Sequence, residues 1–402
     1  MSSLPFDIIV QIIDIVGENE DTNLLKELAL VSHFFHQNCS KHLFATVELH
    51  DADPDNHIGS SKKGFVKLLT SRPDVVRHIR KLTYNVKIDC DGHRNLDDHL
   101  LSPILPNFLR TVSGINYLKI SSSWFNWNKL ESSFASAFFH LMHLPSINHI
   151  DLSFIQNFPL SSLTPSVNLH RLDIRNLHTD RLENEIVVQS EMMPKIREFH
   201  AENSSLVTTM LLRAKRLDGR PAFIFMDLRR LSTCLDDKQN VRYLVKHAKL
   251  LEKLHLTVGY GHGPNLVGLH DILSPSARTL KVLDLTAPIC DLVPLSLVGL
   301  YQELEAMAGH NILEALSFEV YVGRREAVDF IGSIMQNVEK VLVKPGWSSL
   351  RQISFKVSIQ SYVVEDSAVA ELSEALQSLP DKYLSHLPKL ESVAFSYSVY
   401  NT

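Results

Sequence analysis

Leu251-Glu252-Lys253-Leu254-His255-Leu256 places leucine at the first, fourth and sixth positions of a six-residue window. The last two lie two residues apart, so in an extended chain they share one face. The first sits at the bend before the strand. The same spacing, with other apolar residues admitted, recurs at Ile79-Leu82-Tyr84, Ile115-Leu118-Ile120, Ile147-Ile150-Leu152, Leu169-Leu172-Ile174 and Ile196-Phe199-Ala201. It continues at Leu280-Leu283-Leu285, Leu313-Leu316-Phe318, Leu350-Ile353-Phe355 and Leu390-Val393-Phe395, with a weaker copy read at Phe223-Met226-Leu228. One such unit cannot bury its apolar face alone, so neighbours must stack into a continuous core. Helical spacing fills the intervals: Val369, Leu372, Leu376 and Leu379 recur on one face, and the stretch 238–256 reads as a helix running into a strand. The expectation is an α/β array of parallel strands over 75–402.

In this spacing the chain resembles leucine-rich repeat proteins. The asparagine that normally follows the strand is largely missing, so the resemblance implies an irregular solenoid. An ordinary α/β domain with parallel strands is the alternative.

The first 50 residues have a different character. Pro5 stands at a helix entrance, where its fixed φ suits the first turn. Ile8, Ile9, Ile12, Ile13 and Val16 then form a broad apolar stripe. The acidic 17–23 stretch reads as a loop, and Leu24, Leu25, Leu28 and Val31 resume helical spacing, with Thr22 or Asn23 as the expected cap. A third short helix, roughly from Phe34 to Leu43, leads into the alternating Phe44-Ala45-Thr46-Val47-Glu48-Leu49. Three short helices bury little area, and so much isoleucine is more than one small bundle hides. Either a partner covers the surplus or the helices cap the first repeat.

Leu4-Pro5, the isoleucines, Leu30-Val31-Ser32-His33-Phe34-Phe35 and the exit Leu43 to Leu49 together resemble an F-box of the fungal type. The 17–23 loop is longer and more acidic than the usual linker. The resemblance implies a three-helix F-box over 1–50, a linker over 51–74, and contacts to a Skp-type adaptor through Leu4, Pro5, Ile8, Ile9, Ile12 and Val31. That adaptor docks F-box proteins on a cullin ligase. The whole chain would then be the substrate-recognition subunit of an SCF-type ubiquitin ligase, with an unknown target protein on the repeats. A leucine-rich repeat scaffold with a helical cap and no link to ubiquitin is the alternative.

Within each repeat, the third and fifth positions point away from the core. They include Lys81 and Thr83, Tyr117 and Lys119, and His149 and Asp151. Leucine-rich repeat receptors bind through this face, which implies target contacts at Arg171, Asp173, Arg175, Glu198, His200, Lys253, His255 and Asp284. The mixed signs suit a protein partner better than a phosphate backbone.

Composition sets the bounds. The 402 residues are 45% apolar and 21% charged, with 15 glycines and 17 prolines, which excludes collagen and long disorder. No apolar run reaches the length of a membrane span, and no basic stretch precedes Ile8, so neither a membrane anchor nor a signal peptide is expected. Cys39, Cys90, Cys234 and Cys290 are too dispersed for a disulfide framework or a zinc knuckle, which fits a reducing, cytoplasmic or nuclear setting. Residues 1–57 hold ten acidic side chains against Lys26 and Lys41. An acidic head on a near-neutral body does not read as a nucleic-acid binder. Gly346-Trp347-Ser348-Ser349-Leu350 lacks the closing glycine of a nucleophile elbow. His140 and His143 have no carboxylate or thiol at ligand spacing. The glycines of 259–263 lack the lysine of a phosphate loop. No enzyme chemistry, metal or cofactor is therefore implied. Arg213, Lys215, Arg216 and Arg220 read as a solvated basic patch, and Trp124-Phe125-Asn126-Trp127 as an insertion packed on the array or an exposed anchor.

Overall fold

The computed structural model describes residues 5–19, 21–50, 62–86, 104–180, 187–188, 193–258, 265–289, 297–323, 325, 327–360, 366–389 and 392–401. Among the described residues the chain is α/β, with a twelve-stranded parallel sheet that does not close into a barrel, a further two-stranded pair and thirteen helices. It divides into two units, one of residues 1–195 and 210–223, the other of 196–209 and 224–402. No described helix is long and apolar enough to cross a membrane.

The first unit begins with helices α1 (Phe6–Glu18), α2 (Thr22–Ala29) and α3 (His33–Leu43). Asp21 caps α2 by accepting from Leu24 N at 3.1 Å, in place of the expected Thr22 or Asn23. Ser32 caps α3 through Phe35 N, and α2 already ends at Ala29, so Val31 lies between the two helices. The sheet follows as β1 (Thr46–Leu49), β2 (Lys81–Val86), β3 (Tyr117–Asn126), β4 (His149–Gln156) and β5 (Arg171–Arg175), with α4 (Lys62–Ser71), α5 (Leu105–Thr111) and α6 (Ser132–Met142) between them. Thus the sheet starts inside the 1–50 segment, and a helix occupies part of 51–74. Leu82, Leu118, Ile150 and Leu172 pair in register, as do Tyr84, Ile120, Leu152 and Ile174, and all are buried. A separate two-stranded parallel pair joins β6 (Val187–Val188) to β8 (Lys215–Arg216).

The second unit holds β7 (Glu198–Glu202), β9 (Arg230–Cys234), β10 (Lys253–Thr257), β11 (Val282–Ile289), β12 (Ala315–Val322), β13 (Gln352–Ile359) and β14 (Ala394–Asn401), paired in that order. The division between units falls within α7 (Ser205–Arg213). The remaining helices are α8 (Lys238–His247), α9 (Leu269–Leu273), α10 (Leu300–Met307), α11 (Ala327–Leu342), α12 (Asp366–Gln377) and α13 (Leu379–Tyr383). Asp237 caps α8 through Gln239 N and Asn240 N, both at 3.1 Å. Phe199, Leu231, Leu254, Leu283, Leu316, Ile353 and Phe395 form one apolar row across the sheet. Phe318 stacks on Phe355 at 4.7 Å in the next row. Glu339 on α11 is buried and accepts the N–H groups of Ser385, His386 and Leu387 at 2.7–2.9 Å, which fastens the turn leading to β14. Burial would raise its carboxyl pKa, but these three donors hold it below the usual range.

The weaker repeat copy is misplaced. The strand lies at Arg230–Cys234, so the copy reads Leu228-Leu231-Thr233, with a threonine at the sixth position. Met226, expected in the core, is 49% exposed. Leu231→Ala should therefore cost about 2–5 kcal/mol, the range for a buried leucine, whereas Met226→Ala should cost under about 1 kcal/mol. Urea unfolding of the two variants checks the register, and equal destabilisation would refute it.

Candidate protein-binding surfaces

In the head, two opposite faces of α1 have different surroundings. Ile13 is fully buried with Leu25 and Cys39, and Ile9, Val16, Leu28, Phe35 and Leu43 pack around them. Burial pushes the Cys39 thiol up. Asp14 binds Lys41 at 2.6 Å and His42 at 2.8 Å, joining α1 to α3, and these hydrogen bonds hold its carboxyl below the usual range. Gly17 permits that approach, because a Cβ there would collide with the His42 ring. On the other face Ile8, Ile12 and Ile15 recur one helical turn apart and stay exposed, Ile12 by 47%. Phe6, Leu24, Leu30 and Val31 are exposed as well, Val31 by 66%. Of the expected contact residues, Pro5, Ile8, Ile12 and Val31 are thus exposed. Ile9 turns inward against the helical core, and Leu4 lies outside the described residues.

The outer face of β2–β5 gathers Arg171, Asp173 and Arg175 with His149 and Asp151. Asp151 and Asp173 are direct partners across β4 and β5, and each is only 2% exposed. The expectation that Asp173 is open to a target is therefore corrected. Arg171 Nη2 and His149 Nε2 both reach Asp173 Oδ2 at 3.0 Å. Arg175 Nη2 lies 3.2 Å from Asp151 Oδ2, and Ser153 Oγ donates to Asp151 Oδ1 at 2.9 Å. Two adjacent buried carboxylates would repel one another, and the two guanidinium groups neutralise them. Burial alone would raise the pKa of Asp173, but the hydrogen bonds from His149 and Arg171 outweigh it and bring it down to about 2. Burial, reinforced by both carboxylates, pushes the Tyr117 phenol up to about 12.

The other expected target residues lie in the second unit. Glu198 pairs with Arg230 at 3.3 Å, and His200 with Glu202 at 3.7 Å. Lys253 and Asp284 pair across β10 and β11 at 2.9 Å. They form one wall of a groove of about 430 Å³ whose floor includes Ala315, Ser317 and Ser354. Its other wall carries Glu319, which accepts from Tyr321 and Tyr400, and Lys356. His255 lines the groove, and burial lowers its pKa. Sequence reading missed Glu319 and Lys356 because it stopped at the sixth motif position. The alternation continues through Val320 and Val322, and through Val357 and Ile359, and that was the signal available.

Trp127 is buried among Phe138, Phe139 and Phe158, so it anchors the insertion. Trp124 instead sits in a β-bulge at φ 77°, half-exposed, stacked on His178 and edge-on to Phe154, itself at φ 58°. Positive φ in bulky residues is strained. Gly346 is structural: its carbonyl accepts from Gly309 N at 2.8 Å, and a side chain there would strike that backbone. Arg216 and Arg220 share Asp218, so the basic patch is partly neutralised. His143 contacts Ser162 O at 2.7 Å, and no group of three His, Cys, Asp or Glu among the described residues is arranged to hold a metal ion. Cys39 and Cys234 are free thiols; Cys90, Cys290 and the 259–263 glycines lie outside the described residues. No family model matches the chain, and no curated protein matches it significantly.

Because the pKa of Asp173 is depressed in the folded state, its contribution is present above the unfolded value and is lost as pH falls through about 2. The contribution is roughly 2 kcal/mol. Asp173→Asn should be destabilised near neutral pH, and the gap to wild type should narrow toward about pH 2. Urea midpoints across that range measure it; a gap independent of pH would contradict the account.

Proposed function

We propose that the chain is a substrate receptor that acts by positioning: an F-box head binds a Skp-type adaptor, and a leucine-rich repeat body binds a target protein for an SCF-type ubiquitin ligase. The observation that carries this is the apolar stripe of Ile8, Ile12 and Ile15, left uncovered beside Leu30 and Val31 while Ile9 and Ile13 fill the bundle core. A helical cap serving only the array would turn its apolar surface inward. This bundle presents two apolar faces, and water is a poor solvent for the second. The parallel strands with apolar rows and a polar outer face support the repeat reading of the body.

The test follows from exposure. Ile8→Asp combined with Ile12→Asp adds two charges without touching the core, so the protein should fold. In a covered contact each charge would cost several kcal/mol, and capture of a Skp-type adaptor from solution should vanish. Ile13→Asp should instead unfold the head. Adaptor capture undiminished in the double variant would remove the F-box reading.

A further inference from the structure

The outer face of the first unit reads as mixed in sign along the sequence, yet among the described strand residues its exposed charge is largely of one sign. Asp151 and Asp173 are submerged, whereas the side chains of Arg171 and Arg175 above them are 45% and 38% exposed. Lys81 and Lys119 lie on the same face of β2 and β3, and no described residue forms an ion pair with either. The exposed acid on the neighbouring strand is Glu48, on edge strand β1, with its carboxylate 3.1 Å from His50. The buried carboxylates therefore act as internal counter-ions. They fix the two guanidinium groups before any partner arrives, which lowers the ordering cost of binding. Tyr117, between Lys81 and His149 in the same row, keeps its phenolic proton at neutral pH and adds a donor.

Resting on the reading that a target lies on the outer face of the strands, we infer that β2 to β5 of the first unit receive an extended acidic segment of a partner protein, one rich in Asp and Glu. Three inter-strand steps of about 4.8 Å separate β2 from β5, roughly 14 Å in all. An extended segment of four or five residues, at about 3.3 Å each, spans that distance. Alternate side chains of such a segment point to one side, so two or three carboxylates would meet Lys81, Lys119, Arg171 and Arg175. A nucleic-acid strand would need a longer cationic track, and here Glu48 on the edge strand β1 closes one side of the row.

The experiment uses the full chain without adaptor. Fluorescein-labelled peptides of about ten residues, one Glu- and Asp-rich, one Lys-rich and one neutral, are titrated by anisotropy, alongside an oligothymidylate matched in charge to the acidic peptide. The acidic peptide should bind at least about tenfold tighter than the neutral one and weaken as salt rises. Lys81→Glu with Lys119→Glu, chosen because neither lysine holds a buried partner, should lose at least about tenfold while circular dichroism stays unchanged. Equal binding of acidic and neutral peptides, an unaffected double variant, or oligothymidylate binding as tight as the peptide would each overturn the inference. Adaptor capture is measured on the same samples. Peptide binding that fails while capture persists removes only this inference; capture that fails while the peptide binds removes the ligase reading.

Discussion

The carbonyl of Glu252 accepts two N–H groups, from Lys281 at 2.8 Å and from Val282 at 3.0 Å, and so ties the entrance of one strand to the entrance of the next. Among the described residues the same arrangement recurs at eight other strand entrances. In the first unit Ala45, Arg80, Asn116 and Asn148 supply the carbonyl; in the second, Arg197, Arg229, Glu252, Lys281 and Glu314 do, while Arg351 O accepts from Ala394 N at 2.7 Å. A carbonyl has two lone pairs, so one backbone group satisfies two donors that would otherwise be orphaned at the bend. It also sets the register. Once the residue after the first motif leucine is fixed, the fourth and sixth positions must face the core, and a slip of one residue would turn them to water. Because the bond is made by backbone, side-chain identity at that position is free.

That freedom explains which parts of the fold were legible. The apolar first, fourth and sixth positions announced their strands, because burial demands them irrespective of neighbours. The strand at Arg230–Cys234 was misread because Thr233 stands where an apolar residue was sought, while Phe223 and Met226 imitated the spacing. Phe223 is buried, but as part of the connection before the strand. In the head, alternating burial along α1 was visible as a stripe, yet the stripe was too broad to show which isoleucines face inward. The placement of Leu25 and Cys39 decides that, and neither position is encoded in α1 itself. The burial of Asp151 and Asp173 was likewise hidden. Each lies at an outward position by periodicity, and only long Arg and His side chains from the same and adjacent strands remove them from water.

Opposite charge is used differently in the two places where it is concentrated. In the head, Asp14 ties two helices together through Lys41 and His42, and the apolar surface of Ile8, Ile12 and Ile15 is left exposed. On the sheet of the first unit, the carboxylates are spent internally and the cations are left outward. Sequence tallies of acidic and basic residues therefore describe neither surface, since part of the charge in each case is turned toward the protein itself.

The connection between head and sheet has little slack. Helix α3 ends at Leu43 and β1 begins at Thr46. The intervening Phe44 N and Ala45 N bond back to Ser40 O and His42 O, while Ala45 O holds Arg80 N and Lys81 N at 2.8 Å. Arg72 adds a side-chain bond to His36 at 3.0 Å, from the segment that leads into β2. A joint so fully bonded behaves as a lever arm, not a tether. Whatever rests on the isoleucine face and whatever rests on β2 to β5 would be carried at a set distance and angle, and reach would depend on the size and shape of the two passengers.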